Sequence, residues 1–167
     1  MPNISQSLPN PGILKDVQIL VVDNDADTRY LCSILFESYG AKVTTFELVT
    51  DALALLDCFA PDILICETRF LNEDVWPLIQ RVKAMALDLK RVIPILVASA
   101  YRPGKSEQAL TQKIEVHLLK PIDIDRLVDE VWNLIHLAKS TSQPNIQDWV
   151  INHRRWSKRH LAEANSI

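Results

Sequence analysis

The chain has 167 residues, of which 48% are hydrophobic, nine are proline and three are glycine. This length can bury one full core, and the composition excludes a low-complexity chain. No apolar run approaches the roughly 20 residues that a membrane span needs, and the first residues lack the basic and apolar regions of a signal peptide. The three cysteines lack metal-ligand spacing, so we expect free thiols and a cytoplasmic location.

The net charge of −3 is unevenly distributed along the chain. Residues 1–138 carry 13 Lys/Arg against 19 Asp/Glu, whereas residues 139–167 carry five against two. An acidic body followed by a basic tail is typical of a tail that contacts a partner or the body itself.

Strand and helix signals alternate along residues 17–138, after a Pro/Asn/Ser-rich segment (1–16) that we expect to be flexible. Apolar or β-branched runs predict strands at 17–22, 41–46, 62–66, 92–98 and 116–119. Helical spacing predicts helices over 27–39, 49–58, 76–87 and 106–113, and a last helix that Asp123 caps and that runs through Ala138. In the first helix, Leu31, Ile34 and Leu35 carry the helical spacing, and Gly40 ends the helix.

Strands that alternate with helices predict right-handed βαβ units and a parallel sheet covered on both faces. In such α/β sheets, ligands bind beyond the carboxyl ends of the strands. Four polar residues stand at four of these ends: Asp23, Glu67, Ser99 and Lys120. The pattern therefore predicts one pocket that combines acids, a hydroxyl and an ammonium group.

Over about residues 15–138, the chain resembles the receiver domain of two-component response regulators. Residues 21–29 (Val-Val-Asp-Asn-Asp-Ala-Asp-Thr-Arg) resemble the acidic first loop, and 61–67 (Pro-Asp-Ile-Leu-Ile-Cys-Glu) the strand that ends in the phosphoacceptor. Residues 93–100 resemble the strand that ends in the switch Ser/Thr, and 117–121 (His-Leu-Leu-Lys-Pro) the strand with the family's lysine. The resemblance implies a flavodoxin-like, five-stranded sheet in the order 2-1-3-4-5.

The resemblance also assigns roles to single residues. It implies an acidic pocket of Asp23, Asn24 and Asp25, a phosphoacceptor-equivalent Glu67, and switch or pocket residues Ser99, His117, Lys120 and Pro121. His117 stands at the family's aromatic switch position, and the alternative is a half-buried histidine that packs on the helix over 106–113.

This sequence departs from the family's pattern at the centre of the pocket. Glu67 replaces the phosphoacceptor aspartate, and Asn24 replaces the second acid of the first loop. The family's Asp-Gly reads Asp74-Val75, and Leu71 stands in place of the usual proline. A misplacement of about 1 Å can cost on the order of 100-fold in a positioned reaction, so we expect phosphotransfer to be impaired. The longer carboxylate is instead expected to meet the Lys120 ammonium and the Ser99 hydroxyl.

These departures predict a single-domain pseudo-receiver that acts in a phosphorelay as a phosphorylation-independent interaction module. We do not expect an enzyme, because no glycine-rich phosphate loop accompanies the first strand. The alternative is a phosphorylatable receiver that accepts phosphate from a histidine kinase. No cofactor is expected, although loose binding of Mg²⁺ by Asp23 and Glu67 stays open. The expected partner is a signalling protein such as a histidine kinase or an effector, and a homodimer stays open.

Residues 139–167 predict a polar linker followed by an amphipathic basic helix outside the receiver-like domain (17–138). Asn145 can cap this helix, which carries Trp149 and Trp156 on its apolar face. Three alternative uses are open for this helix: it docks on its own receiver or a sister chain, binds a partner protein, or contacts an anionic surface. We expect neither nucleic acid nor membrane as the partner, because four cations are also an ordinary solvated face.

Overall fold

A computed structural model of the chain describes residues 11–100 and 116–140. The described elements are β1 (Gln18–Val22), α1 (Ala26–Ser38), β2 (Lys42–Phe46), α2 (Val49–Leu55), β3 (Ile63–Cys66), α3 (Trp76–Asp88), β4 (Ile95–Ser99), β5 (Val116–Leu119) and α4 (Ile124–Ser140). The helix predicted over 106–113 and the tail helix predicted after 140 lie outside the described residues.

The five strands form one parallel sheet in the order β2-β1-β3-β4-β5, which confirms the predicted flavodoxin-like topology. The three central strands are apolar at nearly every position, as strands buried on both faces must be. Alternate residues enter opposite cores: Ile19 and Ile65 lie in a cluster with residues of α1 and α4, whereas Leu20 and Leu64 lie in one with residues of α2 and α3.

The apolar spacing identifies the buried face of α1 only in part. Thr28, Cys32 and Phe36 are the buried residues of this helix, whereas Ile34 is 52% exposed. Leu35 packs partly buried against the core, so Ile34 is the residue of the apolar spacing that lies at the surface.

The segment before β1 also differs from the expected flexible one, as far as it is described. Residues 11–16 form turns, and the Leu14 side chain is fully buried in the core. The Leu14 N–H donates to the Tyr39 carbonyl (3.0 Å), at the end of α1. Gly40 follows with φ +91°, where a Cβ atom would lie 3.2 Å from the Lys15 Cα, so a glycine suits this contact.

The burial of Phe36 predicts its contribution to stability. Phe36→Ala leaves a cavity in the core and should lower the free energy of unfolding by about 3–5 kcal/mol in urea titrations. Ile34→Ala is the matched control on the same helix and should change it by about 0.5 kcal/mol. A larger loss for Ile34→Ala than for Phe36→Ala would contradict this assignment of the buried face.

Candidate functional site

The strand registers bring the predicted residues to one edge of the sheet. Val22 pairs with Cys66, so the residues that follow them, Asp23 and Glu67, lie side by side. Ser99 pairs with Leu119, which places Lys120 directly beyond β5 on the same edge. The Lys120 N–H donates to the Ser99 carbonyl (2.8 Å) and fixes the base of the lysine side chain. The sequence therefore delivers two acids, a hydroxyl and an ammonium to the same end of the sheet.

The Lys120 ammonium lies between the two buried acids. Its Nζ atom is 2.8 Å from Asp23 Oδ2 and 3.3 Å from Glu67 Oε2. The Asp23 and Glu67 side chains are 2% and 5% exposed and that of Lys120 is 15% exposed, so water screens this triad little. The structure thus shares the ammonium between both acids, and Asp23, a partner that the sequence analysis did not assign to it, is the nearer one.

The other carboxylate oxygen of Glu67 is held by its own loop. Glu67 Oε1 accepts hydrogen bonds from the backbone N–H groups of Thr68 (2.7 Å) and Arg69 (3.2 Å). The Thr68 hydroxyl lies 3.3 Å from the same oxygen and 3.4 Å from Ser99 Oγ. Both oxygens of Glu67 therefore interact with donors of the protein.

The pKa values of the triad follow from these contacts. Burial raises the pKa of Asp23, although the hydrogen bond from Lys120 opposes this shift. Burial acts in the same direction on Glu67, but hydrogen bonds from Ser99, Thr68 and Arg69, together with the Lys120 charge, hold its pKa below the usual value. Burial would lower the pKa of Lys120, yet its bond to Asp23 and the charges of both acids raise it. An anionic Glu67 beside a cationic Lys120 is the favoured state.

Asn24 and Asp25, the other predicted members of the acidic pocket, have different partners. The Asn24 side chain is exposed, and its amide Nδ2 donates to the Arg69 carbonyl (3.1 Å). Asp25 caps α1, where its carboxylate accepts from the Asp27 N–H (3.3 Å) and the Thr28 hydroxyl (2.6 Å). The hydrogen bond from Thr28 lowers the pKa of Asp25. The structure therefore brings Asp23, Glu67, Ser99 and Lys120 together, while Asp25 serves the helix.

Glu73 is a residue of this region that the sequence analysis missed. Helix α2 begins after Leu48, whose side chain supplies no cap. The Glu73 carboxylate caps the helix from 24 residues away, accepting from the N–H groups of Val49 (2.9 Å) and Thr50 (3.0 Å). An acid at this position suits the positive end of α2. Sequence carried no signal for the contact, because only the folded loop after Glu67 brings Glu73 to the helix.

His117 lies on β5, and Pro121 follows Lys120 just beyond the end of this strand. His117 alternates with Val116 and Leu118, which lie in the cluster with α1 and α4, so its ring lies on the other face of the strand. Its Nε2 atom is buried and has no hydrogen-bond partner among the described residues. Burial lowers the pKa of His117, and Glu67 opposes this shift. Pro121 is exposed directly after Lys120.

The donor set of the pocket does not fit a resident Mg²⁺. This ion demands octahedral oxygen ligands, usually with one or two carboxylates. Asp23 Oδ1 accepts the Asp25 N–H (2.8 Å), its Oδ2 atom meets Lys120, and the Arg69 carbonyl accepts from Asn24. No cluster of three or more His, Cys, Asp or Glu suited to a metal occurs among the described residues.

The sequence model of the response regulator receiver domain family matches residues 19–132 of this chain. The chain belongs to the receiver domain family of response regulators. No helix within the described part of this receiver is long and apolar enough to cross a membrane.

Curated relatives place the receiver in proteins of different sizes. A 14.6 kDa protein of Leptolyngbya boryana is 34% identical over 111 residues, covering 66% of this chain and 83% of that protein. The hybrid signal transduction histidine kinase D of Dictyostelium discoideum is 29% identical over 141 residues, covering 79% of this chain and 9% of the kinase. The chain thus spans most of the first relative and a small part of the second.

Solved structures agree on the fold. The receiver domain from Methanospirillum hungatei matches with a TM-score of 0.68 at 12% identity, over 77% of this chain and all of that one. A response regulator of Thermotoga maritima, solved with Mg²⁺ and BeF, matches with a TM-score of 0.60 at 20% identity, over 71% of this chain and 98% of that one. At these identities the likeness shows the fold alone.

Because two buried acids share the Lys120 ammonium, its removal should destabilise the folded chain. Lys120→Met leaves two buried carboxylates without their cation, so the free energy of unfolding should fall by about 3–5 kcal/mol. Lys42→Met is the control, because the Lys42–Asp16 pair is exposed and 4.0 Å apart, and should cost at most about 1 kcal/mol. Urea unfolding measures both, and equal costs would contradict the central role of Lys120.

The lowered pKa of His117 predicts that the stability of the folded chain depends on pH. A folded state that resists protonation loses stability as the pH falls below the ordinary histidine value of 6.5. His117→Phe removes the titrating nitrogen, so the stability of the variant relative to the natural chain should increase as the pH falls through 6.5. Urea unfolding above and below this value measures the difference, and a constant difference would count against the pKa shift.

Proposed function

We propose that this receiver is a phosphorylation-independent protein-interaction module of a phosphorelay system and not an enzyme. One observation carries the proposal: the Lys120 ammonium lies within 3.3 Å of both Asp23 and Glu67. An internal cation, shared with Asp23, thereby pairs with the carboxylate at the phosphoacceptor position. The receiver then holds one state of its pocket without a transferred phosphoryl group.

The contacts of Glu67 support an unreactive carboxylate. A nucleophilic oxygen needs a free lone pair directed at phosphorus, whereas Glu67 Oε1 accepts two backbone N–H groups and Oε2 meets Lys120. The lowered pKa of Glu67 weakens its basicity as well. The extra methylene of glutamate also displaces the carboxylate, by about 1.5 Å, from where an aspartate would carry it. Position, occupancy and basicity all oppose attack on a phosphoryl donor.

Charge supports a pocket without a resident cation. Asp23, Glu67 and Lys120 together carry one net negative charge, and Asn24 adds none. This single negative charge attracts a divalent cation only weakly. The cation would also have to displace Lys120 from Asp23 Oδ2, or the Asn24 amide from the Arg69 carbonyl, to bind these oxygens. We therefore infer that the receiver works without a bound Mg²⁺.

The partner in this proposal is another signalling protein, a histidine kinase or an effector. The relatives support this class, since they include a hybrid histidine kinase and the transcriptional regulatory protein ZraR of Salmonella typhimurium, of which this chain spans 28%. Exposed apolar side chains suit such contacts: Tyr30 (69% exposed) and Ile34 (52%) lie one turn apart on α1. A second copy of the chain is the alternative partner, and sedimentation distinguishes the two.

Phosphorylation of the purified chain tests the proposal. With acetyl phosphate and Mg²⁺, intact-mass spectrometry should show no phosphoryl adduct on the natural chain, because Glu67 is held by Lys120 and its own loop. A stable adduct that maps to Glu67, or to a neighbouring acid of the pocket, would instead support the phosphorylatable alternative.

Two variants serve as matched controls for this experiment. Glu67→Asp shortens the acid, and Asn24→Asp/Glu67→Asp also removes the amide that donates to the Arg69 carbonyl. Both should retain the fold, and the double variant should gain an adduct and Mg²⁺ binding in calorimetry. If neither is labelled while the natural chain is also unlabelled, the block lies outside these two positions, and this assignment of its cause is wrong.

A further inference from the structure

Residues 68–73, called the strap below, join the pocket to the start of α2. Where the strap begins, the N–H groups of Thr68 (2.7 Å) and Arg69 (3.2 Å) donate to Glu67 Oε1. Where it ends, the two oxygens of the Glu73 carboxylate accept from the first turn of α2. One short segment therefore has one anchor in the pocket and a second anchor on a helix.

The second anchor is the cap of α2. The first N–H groups of a helix have no acceptor within the helix itself. Glu73 supplies one for Val49 (2.9 Å) and for Thr50 (3.0 Å), and it also accepts from the Thr50 hydroxyl (2.9 Å). The hydrogen bond from the Thr50 N–H contributes most to the lowered pKa of Glu73, so the carboxylate stays charged at the positive end of the helix. The protection of these two amides from solvent therefore depends on where the strap holds Glu73.

The part of the strap between the anchors is short. Three residues (70–72) lie there, and the backbone from Arg69 to Glu73 spans at most about 14 Å. Phe70 packs partly buried against the core cluster that contains residues of α2 and α3. Leu71 is 96% exposed and stands where the family has proline, so no ring fixes the φ angle at this position. The anchors therefore contribute more than the backbone to the position of the strap after Phe70.

We propose that the strap couples the state of the acid at position 67 to the first turn of α2. The contacts that hold the strap at Glu67 also keep Glu73 at the helix, so the loss of one anchor loosens the other. Any contact that displaces Glu73 from α2 would in turn weaken the N–H donors on Glu67, because coupling between two sites is reciprocal. This coupling goes beyond the function proposed above and holds whether or not Glu67 accepts a phosphoryl group.

Amide hydrogen exchange of the full-length chain, followed by NMR, first tests the second anchor. The amides of Val49 and Thr50 serve as the α2 reporters. Glu73→Ala should speed their exchange about fivefold, the factor that corresponds to the loss of a typical helix cap. Asp74→Ala is the matched control, because the Asp74 carboxylate accepts from the Trp76 N–H (2.9 Å) at the start of α3, and it should leave the reporters unchanged. Equal effects of the two substitutions would overturn the proposal.

Substitutions in the pocket test the coupling itself. Glu67→Ala removes the acceptor of the first strap N–H groups, and Asn24→Ala removes the amide that donates to the Arg69 carbonyl (3.1 Å). Each should speed the exchange of the α2 reporters about two- to threefold, as expected when a neighbouring hydrogen bond is lost. Asp25→Ala is the matched control for Asn24→Ala, because Asp25 caps α1, and it should leave the α2 reporters unchanged.

The amides of Val131 and Leu134, two core residues of α4, distinguish local from global opening and should exchange at a constant rate in every variant. Asn24 is exposed, so Asn24→Ala should retain the fold even where Glu67→Ala does not. Reporters that respond to Glu73→Ala but not to Asn24→Ala would overturn the coupling. An acceleration in Asn24→Ala that the α4 amides share would assign it to global unfolding and would overturn the coupling as well.

The reverse direction has its own measurement. Glu73→Ala should raise the pKa of Glu67, because looser N–H donors stabilise its charge less. The side-chain carboxyl signal of Glu67 in ¹³C NMR reports this pKa during a pH titration, with Asp74→Ala again as the control. A pKa of Glu67 that is the same in both variants would contradict the reciprocity. These experiments use no phosphoryl donor, so their outcome is separate from that of the acetyl phosphate experiment.

Discussion

One ammonium group determines the state of the pocket. Asp23 and Glu67 are almost completely buried at the ends of neighbouring strands, where two uncompensated carboxylates would repel each other. Lys120 reaches both from the end of β5, two strands away from β3 in the sheet. Because these two contacts offset the desolvation of the ammonium, the lysine and the acids depend on each other. The other contacts of the pocket are arranged around this triad.

Two small changes of side chain alter what such a pocket can hold. Glutamate at position 67 has the length to reach Lys120 with one oxygen and its own loop with the other. Asparagine at position 24 can donate a hydrogen bond, which a carboxylate cannot, and it donates to the Arg69 carbonyl. Donors of the protein thus occupy oxygens that an ion would need, which is the basis of the proposed function.

The sequence predicted most of the described fold and the central part of the site. Runs such as Ile19–Val22 identify strands buried on both faces, and the strand-end rule alone gathers Asp23, Glu67 and Lys120. The apolar spacing of α1 includes the exposed Ile34, because apolar residues cover more than one face of that helix. Contacts of backbone groups across the fold, such as Asn24 to the Arg69 carbonyl, follow no pattern of spacing and need coordinates.

The capping of α2 by Glu73 joins two parts of the receiver that are distant in sequence. The same loop begins with Thr68 and Arg69, whose N–H groups hold Glu67, and later supplies the carboxylate at the start of α2. A displacement of this loop would therefore uncover two N–H groups of α2, the helix that follows the edge strand β2. One loop therefore holds the carboxylate of Glu67 at its start and the first turn of α2 at its end.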